Sequence, residues 1–385
     1  MTRLAVVGPS WPHRGGIART TTALASALDA RGSLAGFFVP WRQYPSAIYP
    51  GRADTDSSAG SAVSGAIRAY GVLEPWSWPG FARRLRRLGP DALVVPYWTA
   101  AWAPFELYVA ARSRIPVVAV VHNPADHDAG ALARAAAEAV LRRCRGFVCH
   151  ATTVAATLRA RFAGTPVAVH PLPAEPPPRV DRGEARARLR LLPDRVAVLC
   201  FGLIRPYKGV DVLLDAVTRL PRDLPVTLLL AGEPWGGLGA SVRRRLGMAD
   251  LDGRVVASLG WVPEAEAGAW FGAADAVVLP YRSATGSAVA AQALAWGLPL
   301  VASAVGGIND VVEDGVNGLL VAPGDAPALS AALARIADGG LRSRLAAGAR
   351  ASAGRWTWDA YAAAVLDLAG RVTATRRNGR GDVDA

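Results

Sequence analysis

VAVLCFGLIRPYKGVDVLLDAV, residues 196–217, combines a short apolar run, a turn of glycine and proline, and an apolar pattern of helical period. The Val-rich run at 196–201 has the length and composition of a buried strand. The pattern that starts near Val210 indicates a helix, since its apolar residues recur at helical spacing. A strand followed by a short turn and a helix is the unit from which parallel α/β sheets are built, so this stretch predicts an α/β domain.

The same alternation of strand and helix continues on both sides of this stretch. Towards the C-terminus, we predict strands at 226–231, 255–259, 276–279 and 300–302. The helices there are expected to begin near residues 240, 264, 287 and 308. In the first half, strands are predicted at 4–8, 34–39, 92–97, 117–122, 146–150 and 167–170, with helices at 17–30 and 131–143. Each half therefore predicts a doubly wound parallel sheet.

A proline-rich segment, HPLPAEPPP at 170–178, separates the two halves. Such proline density cannot continue a helix or a central strand, so the segment predicts a linker. The fold-class prediction is α/β, with two doubly wound Rossmann-like domains that face each other across a cleft. We predict an N-terminal domain at 1–170, a linker at 171–180, a C-terminal domain at 181–357, a helix at 358–370 that crosses back to the N-terminal domain, and a flexible tail at 371–385.

Length and composition agree with two globular domains. The chain has 385 residues, of which 51% are apolar and 19% charged, so it has enough apolar residues to bury two cores. Its three cysteines are an odd number without zinc-site spacing, which predicts a reducing compartment and no structural disulfide. No apolar stretch reaches the roughly 18 residues of a membrane span, and the first residues have too short an apolar run for a signal peptide. We therefore expect a cytoplasmic protein.

The turn at 201–209 carries the first candidate chemistry. Neither half contains the glycine-rich signatures of dinucleotide-binding or P-loop proteins, so those classes lack their main signals. Arg205 and Lys208 instead lie in a turn at the carboxyl edge of the predicted sheet, where cations and helix amides can hold a phosphate group. Lys208 is the sole lysine among 43 basic residues. Solvated loop charges are the alternative interpretation of both residues.

The chain resembles the retaining nucleotide-sugar glycosyltransferases of family 4 (glycosyl transferases group 1) in two segments, FGLIRPYKGVD at 201–211 and PYRSATGSAVAAQALAWGLPLVASAVGGINDVVEDGVNGLLVAPGD at 280–325. The resemblance is weaker in the N-terminal half, where it rests on GPSWPHRGGIART at 8–20 and VVHN at 120–123. It implies the GT-B fold and the transfer of a sugar from a nucleoside diphosphate sugar with retention of the anomeric configuration. The ordered pair of C-terminal motifs makes the resemblance specific.

The resemblance assigns roles to residues at matching positions. It implies that Arg205 and Lys208 neutralise the diphosphate as it leaves and that His122 contacts the donor sugar, so these three are the predicted catalytic residues. The predicted donor-binding residues are Gly15, Gly16, Gly202, Trp261, Val262, Thr285, Gly286, Ser287, Ala288 and Gln292. The chemistry agrees, because glycine permits close backbone approach and a helix N-terminus binds anions. A plain tight turn at 15–16, core packing of Trp261 and a structural role for His122 are the alternatives.

One feature departs from the family pattern. The family carries two glutamates eight positions apart, the first near the donor sugar and the second on the ribose, and those positions hold Ala284 and Gln292 here. The Gln292 amide can still hydrogen-bond a ribose hydroxyl, although a helix-surface glutamine is the alternative. Ala284 cannot replace a carboxylate. Family members similar to this chain have Ala-Thr-x-Ser in this stretch, so the resemblance implies that Thr285 and Ser287 contact the donor.

A basic and aromatic segment, EPWSWPGFARRLRRLGP at 74–90, lies in an N-terminal half (1–170) that holds 19 arginines and 9 acidic residues. Helices of this composition bind anionic membranes, which predicts a peripheral membrane contact and a lipid-linked acceptor. The predicted acceptor or membrane residues are Trp76, Trp78, Arg83, Arg84, Arg86, Arg87 and Trp98. A solvated arginine face is one alternative. Nucleic acid is another, but no nucleic-acid-binding motif accompanies the segment and we predict no such partner.

Three acidic groups are candidate metal sites: Asp54 with Asp56, Asp126 and Asp128 around His127, and Asp250 with Asp252. Paired carboxylates can hold a metal-bound diphosphate. In the family that this chain resembles, Arg and Lys neutralise the diphosphate instead. We therefore predict no metal and no cofactor other than the donor substrate.

The functional hypothesis is a metal-independent, hexosyltransferase-like enzyme that transfers a sugar from a nucleoside diphosphate sugar to a glycan or lipid-linked acceptor. Cell-surface polysaccharide or glycolipid biosynthesis is the expected setting, with the protein in the cytoplasm or peripheral on the inner face of the plasma membrane. Two alternatives stay open: a non-catalytic sugar-nucleotide binding or scaffold protein, suggested by Ala284 and Gln292, and a sugar-nucleotide epimerase on the same fold.

Overall fold

The computed structural model describes residues 2–43, 55, 65–124, 130–174 and 176–381. The chain divides into two compact units, one formed by Met1–Leu172 with Thr357–Ala385 and the other by Pro173–Trp356. Each unit contains one sheet of parallel strands, which confirms the predicted pair of Rossmann-like α/β domains. Among the described residues, no helix combines the length and the apolar composition that a bilayer span requires.

The N-terminal unit is built on a seven-stranded sheet with the order β3-β2-β1-β4-β5-β6-β7. Its strands are β1 Leu4–Val7, β2 Leu34–Pro40, β3 Ala66–Tyr70, β4 Ala92–Tyr97, β5 Val117–Val121, β6 Gly146–Cys149 and β7 Val167–Val169. Its first helices are α1 Gly16–Ala30, α2 Trp78–Leu88, α3 Ala103–Ser113, α4 Ala131–Leu141 and α5 Thr152–Arg161. The central strands are apolar and buried on both faces, as parallel strands between two helix layers must be.

The second unit has a six-stranded sheet with the order β10-β9-β8-β11-β12-β13. Its strands are β8 Val196–Phe201, β9 Val226–Ala231, β10 Val255–Ser258, β11 Ala276–Leu279, β12 Leu300–Ser303 and β13 Gly318–Val321. Its helices are α6 Arg182–Arg188, α7 Val210–Arg219, α8 Leu238–Leu246, α9 Glu264–Ala273, α10 Ala288–Ala295, α11 Ala326–Ile336 and α12 Gly339–Ala353. The winding direction reverses between the paired strands β8 and β11, which makes the carboxyl ends of these two strands the switch point of the sheet.

The last helix, α13 Trp358–Gly381, packs on the N-terminal unit. Tyr361, Val365 and Leu368 are fully buried in a cluster that includes Leu4 and Leu28. The helix extends to Gly381, beyond its predicted end at residue 370, whereas the flexibility of the tail stays a prediction. Arg371 forms an ion pair with Asp367 one turn earlier, a contact that favours continuation of the helix. Residues 382–385 lie outside the described residues.

Several elements were absent from the sequence prediction. Strand β3 is half-exposed at the sheet edge and includes an arginine, so it lacks the apolar run by which the other strands were recognised. Helix α3 and strand β13 were also missed. The helix expected near residue 308 is only a 3-10 turn at Gly306–Ile308, because its glycine pair disfavours a longer helix.

Candidate functional site

The turn that follows β8 lies at the switch point of the C-terminal sheet. Gly202 and Gly209 have φ angles of +95° and +63°, so both ends of the turn use backbone conformations that favour glycine. A 3-10 turn at Pro206–Lys208 leads into α7. A Cβ atom on Gly209 would collide with the carbonyl oxygen of Pro280, which follows β11. Glycine at this position therefore lets the two loops touch.

Lys208 is half-buried within this site. Its Nζ lies 3.3 Å from the position that a Cβ atom would occupy on Gly202 and 5.5 Å from the centre of the Tyr281 ring. Burial, with a smaller contribution from the positive charge of Arg205, lowers the pKa of Lys208 to about 8, while Cys200 opposes the shift. Within the described part of the chain, Lys208 forms no ion pair with a carboxylate. This ammonium group can therefore be neutralised by an anionic ligand.

Arg205 lies at the start of the same turn. The Cζ atom of its guanidinium group lies 4.1 Å from the centre of the Trp235 ring, in a cation–π contact. No described carboxylate pairs with Arg205. Two cations without carboxylate partners thus lie three residues apart at one edge of the sheet. A cluster of this kind attracts a phosphate or diphosphate group.

Arg282 ties the loop after β11 to the turn after β8. Its guanidinium nitrogens donate to both carboxylate oxygens of Asp211 at 2.8 and 2.6 Å and to the Pro206 carbonyl at 2.9 Å. Its backbone N–H donates to the Tyr207 carbonyl at 2.7 Å. The hydrogen bonds from Arg282 hold the pKa of Asp211 below its usual range. The sequence prediction missed this pair, because the two residues are 71 positions apart and belong to no local pattern.

The N-terminus of α10 faces the same switch point, because α10 follows β11. Ser287 caps the helix, and its Oγ accepts a hydrogen bond from the Ala290 N–H at 3.1 Å. The first turn contains no acidic residue, so the helix dipole and the remaining amides favour an anion at Gly286 and Ala288. Thr285 is half-buried just before the cap.

The departures from the family pattern lie beside this helix. The Ala284 carbonyl accepts a hydrogen bond from the Gly307 N–H at 3.1 Å, and the Ala284 side chain packs at the edge of the core. Gln292 is half-buried within α10. Trp261 and Val262 follow β10 at the same carboxyl edge, and Val262 packs against the core while Trp261 is half-buried.

In the N-terminal unit, the sheet reverses its winding between β1 and β4. Gly15 and Gly16 follow β1 at the start of α1, and Gly15 has a φ of +114°. Cβ atoms built on both glycines would meet no described atom within 4 Å. Among the described residues, nothing therefore fills the space beside this helix N-terminus, which is a place where an anion can bind.

His122 follows β5 and is 9% exposed. Its backbone N–H donates to the Tyr97 carbonyl at 2.9 Å, and its ring centre lies 4.8 Å from that of His150, which follows β6. Burial lowers the pKa of His122 well below its usual range, and His150 lowers it further. Burial also lowers the pKa of His150 to about 4. Both imidazoles are therefore neutral at pH 7, and within the described residues neither Nε2 atom has a hydrogen-bond partner.

The basic and aromatic segment at 74–90 exposes its arginines. The side chains of Arg83, Arg84 and Arg87 are exposed, as is 74% of Trp76. Arg86 is also exposed, and it donates to the Arg112 carbonyl at 2.6 Å.

Two of the predicted acceptor or membrane residues belong to the core instead. Trp78 is half-buried, donates through Nε1 to the Gly71 carbonyl at 2.8 Å and contacts Phe105. Trp98 is 6% exposed, with its ring 4.5 Å from that of Trp102. The apolar face of α2 and the loop after β4 thus pack inward, and the acceptor or membrane role of Trp78 and Trp98 stays a prediction.

Of the candidate metal residues, only Asp250 and Asp252 lie within the described residues. Asp250 accepts a hydrogen bond from Arg245 at 2.9 Å, whereas Asp54, Asp56, Asp126 and Asp128 lie outside the described residues. Across residues 2–43, 55, 65–124, 130–174 and 176–381, no three His, Cys, Asp or Glu side chains are grouped to hold a metal ion.

Two family models match the chain. The model of Glycosyltransferase Family 4 matches residues 14–174, and the model of Glycosyl transferases group 1 matches residues 195–338. Together they match most of both units. The chain belongs to the family 4 glycosyltransferases.

Curated relatives of this family 4 member include D-inositol 3-phosphate glycosyltransferases. The protein of that name from Xylanimonas cellulosilytica is 39% identical over 210 residues, 53% of this chain and 49% of the relative. The one from a Nocardioides species is 38% identical over 211 residues, 51% of this chain and 46% of the relative. The chain thus spans about half the length of the curated relatives it matches.

Solved structures share the fold of this family 4 member over nearly its whole length. Sucrose-phosphate synthase from Thermosynechococcus elongatus is matched with a TM-score of 0.75 and 20% identity, over 97% of this chain and 100% of that one. Anabaena HepE in complex with UDP and glucose is matched with a TM-score of 0.71 and 17% identity, over 98% of this chain and 100% of that one. These likenesses show the GT-B fold.

Proposed function

We propose that this protein is a retaining glycosyltransferase that moves a sugar from a nucleoside diphosphate sugar to a glycan or lipid-linked acceptor. The observation that carries the proposal is the pair Arg205 and Lys208, two cations without described carboxylate partners at a sheet switch point beside the N-terminus of α10. In open α/β sheets this is the place where ligands bind. Family membership supports the same reaction class.

In the proposed reaction, the protein acts mainly by stabilising the diphosphate leaving group. As the bond between the sugar carbon and the diphosphate oxygen breaks, negative charge develops on the diphosphate. Arg205, Lys208 and the first amides of α10 stabilise that charge more in the transition state than in the bound substrate. The acceptor oxygen forms the new bond on the same face of the sugar, and its proton passes to the departing diphosphate.

We propose that the donor is also held by Gly15, Gly16, Gly202, Trp261, Val262, Thr285, Ser287 and Gln292. His122 would contact the sugar as a neutral hydrogen-bonding group, in agreement with its lowered pKa. Gln292 would replace a carboxylate on the ribose, since an amide both donates and accepts hydrogen bonds. No metal is required in this proposal, because the two cations provide the charge that a divalent ion would otherwise supply.

The acceptor and the membrane contact are proposed from the N-terminal unit. Trp76, Arg83, Arg84 and Arg87 form an exposed basic surface that suits an anionic bilayer and a lipid-linked acceptor. When vesicles that contain anionic lipid are sedimented, the wild-type protein should be recovered in the vesicle pellet. Substitution of Arg83, Arg84 and Arg87 together by glutamate should abolish that recovery. Wild-type protein that stays in the supernatant would refute the membrane contact. Because the curated relatives are called D-inositol 3-phosphate glycosyltransferases, D-inositol 3-phosphate should be among the acceptors tested.

The donor proposal is tested by thermal-shift measurements with UDP, GDP, ADP, dTDP and their common sugar conjugates, with and without magnesium. One diphosphate should stabilise the wild type selectively and without magnesium, and Lys208→Ala should remove the effect. Arg219→Ala, which removes an exposed cation at the far end of α7, is the matched control and should bind as wild type does. If none of these compounds stabilises the wild type at millimolar concentration, the donor site is refuted.

Turnover separates the proposal from its alternatives. The scaffold alternative is motivated by Ala284, which supplies no carboxylate. A scaffold protein would bind the donor but transfer no sugar to any member of a broad acceptor panel. An epimerase would convert the donor without an acceptor. The proposed transferase should release diphosphate only when an acceptor is present, and the anomeric configuration of its product should match that of the donor.

A further inference from the structure

Trp235, in the loop after β9, is held directly against the phosphate turn. Its backbone N–H donates to the Ile204 carbonyl at 2.9 Å, and the Ile204 N–H donates to the Glu233 carbonyl at 2.9 Å. Ile204 and Pro234 form a parallel bridge beyond the ends of β8 and β9. The two loops are thus paired as an extension of the sheet, and this pairing places the indole ring opposite Arg205.

The stacking contact is the one that orients the Arg205 side chain. The Cζ atom lies 4.1 Å from the indole centre, close enough for the planar guanidinium group to rest on the ring. Within the described part of the chain, the guanidinium group makes no hydrogen bond. An arginine that stacks through one face keeps the N–H groups at its edge available for a phosphate group.

We propose that Trp235 is a positioning residue that acts through Arg205 to select a diphosphate. This inference rests on the function proposed above and adds a residue that neither the sequence motifs nor the family resemblance indicated. A fixed guanidinium group needs no reorientation when the diphosphate binds or leaves, so its charge acts in full on the transition state. The Lys208 ammonium group is a point charge that tolerates several ligand geometries. The planar guanidinium group of Arg205 can donate two hydrogen bonds to a phosphate group only when that group lies in its plane.

Binding measurements on variants of Trp235 test the inference. UDP, GDP, ADP and dTDP are titrated by calorimetry, each beside its monophosphate, into wild type, Trp235→Leu and Trp235→Phe. Loss of a cation–π contact should weaken binding of the preferred diphosphate by about tenfold in Trp235→Leu, with a smaller effect on its monophosphate. Trp235→Phe keeps an aromatic face and should restore most of the affinity. Leu132→Ala, at an exposed apolar residue of α4 in the other unit, should leave the affinity for each nucleotide unchanged.

A double-mutant cycle separates positioning from general damage. In an Arg205→Ala background, Trp235→Leu should cause no further loss of diphosphate affinity, because the group on which it acts is gone. Thermal unfolding of each variant shows whether it folds. Arg205→Ala should also alter tryptophan emission in the wild-type background and leave emission unchanged in the Trp235→Phe background, which tests the stack without any ligand.

The outcomes distinguish this inference from the proposed function. Unchanged diphosphate affinity in Trp235→Leu, equal loss for mono- and diphosphate, or an undiminished loss in the Arg205→Ala background would overturn the role of Trp235 while the donor site stands. Wild-type protein that binds none of the nucleotides would refute the donor site, and the role of Trp235 with it.

Discussion

At the scale of single residues, the lowered pKa of Lys208 makes donor binding depend on pH. Burial, together with the charge of Arg205, brings this pKa to about 8, so part of the population loses its charge as the pH rises through that value. A bound diphosphate favours the charged form and raises the pKa. Affinity for the diphosphate should therefore be constant below about pH 7.5 and fall by up to about tenfold per pH unit above pH 8.

Calorimetric titrations between pH 6.5 and 9.5 check this expectation. Lys208→Arg keeps a positive charge throughout that range and should remove the decline, whereas Arg219→Ala should retain it. An equal decline in Lys208→Arg and wild type would show that another group is responsible.

Glu106 is a second residue whose ionisation has consequences, because its carboxyl group is buried in the protein. It is 6% exposed in α3, and within the described residues neither of its carboxylate oxygens has a hydrogen-bond partner. It lines a small apolar cavity with Val95, Val140 and Cys144. Burial raises its pKa to about 8, so at neutral pH the folded protein keeps a proton that the unfolded chain has released.

The sign of the pH effect on stability follows from this difference. Since the folded state binds more protons between pH 4.5 and 8, the free energy of unfolding should fall as the pH rises through that interval, by about 1.4 kcal/mol per pH unit at most. Glu106→Gln should remove this slope, and Glu106→Met should raise the stability at pH 8. Urea unfolding at pH 5, 6.5 and 8 measures the effect, with Glu266→Gln on the exposed surface of α9 as the control. A wild-type stability that does not fall over this range would contradict the prediction.

At the scale of elements, the contact between Arg282 and Asp211 fastens the loop after β11 to the first turn of α7. Both side chains are substantially exposed, 42% and 69%, so their pairing should contribute at most about 1 kcal/mol to stability. Its main effect should be on the shape of the phosphate turn.

Asp211→Asn tests that role through the sign of its effect. Removal of a negative charge beside a phosphate site strengthens anion binding if electrostatics alone decides. If the ion pair shapes the turn, the same substitution should weaken diphosphate binding by roughly threefold, with little change in Tm. Calorimetry and thermal unfolding separate the two cases, and tighter binding in Asp211→Asn would reject the positioning role.

The elements also show what the sequence can predict. Strands such as β8 and β4 are short apolar runs between turn residues, so their positions follow from composition, and the parallel sheet follows from their alternation with helices. Lys208 and Arg205 were found because they lie within a recognisable strand, turn and helix. Trp235 and Arg282 were missed because their importance comes from contacts between loops of neighbouring strands, which no local pattern encodes. The contact of Trp78 with Phe105 could not be predicted, because a helix of mixed composition does not reveal which aromatic residues face the core.

At the scale of the whole molecule, the N-terminal unit is discontinuous in sequence, since α13 belongs to it and the second unit lies between. Tyr361, Val365 and Leu368 are fully buried and cover Leu4 and Val148 on one face of the sheet. Removal of residues 357–385 should therefore expose that apolar face and destabilise the N-terminal unit by several kcal/mol.

Limited proteolysis of the truncated protein tests this expectation. Cleavage should concentrate in the N-terminal unit, while a fragment that contains residues 173–356 stays resistant. The substitution Asp359→Ala, which removes the ion pair with Arg31 just after α1, should leave the protease resistance of both units unchanged. Equal resistance of both units after truncation would show that α13 is dispensable for the N-terminal unit.

Because α13 belongs to the N-terminal unit but is the last helix in sequence, it also determines the order in which a nascent chain can finish folding. Domains usually fold in the order of their synthesis, the N-terminal one first. Here all seven strands of the first sheet leave the ribosome early, yet the helix that covers Leu4 and Val148 is synthesised only after the entire second unit. The second unit can therefore complete its core first, and the apolar face of the first sheet stays accessible to chaperones until the last helix emerges.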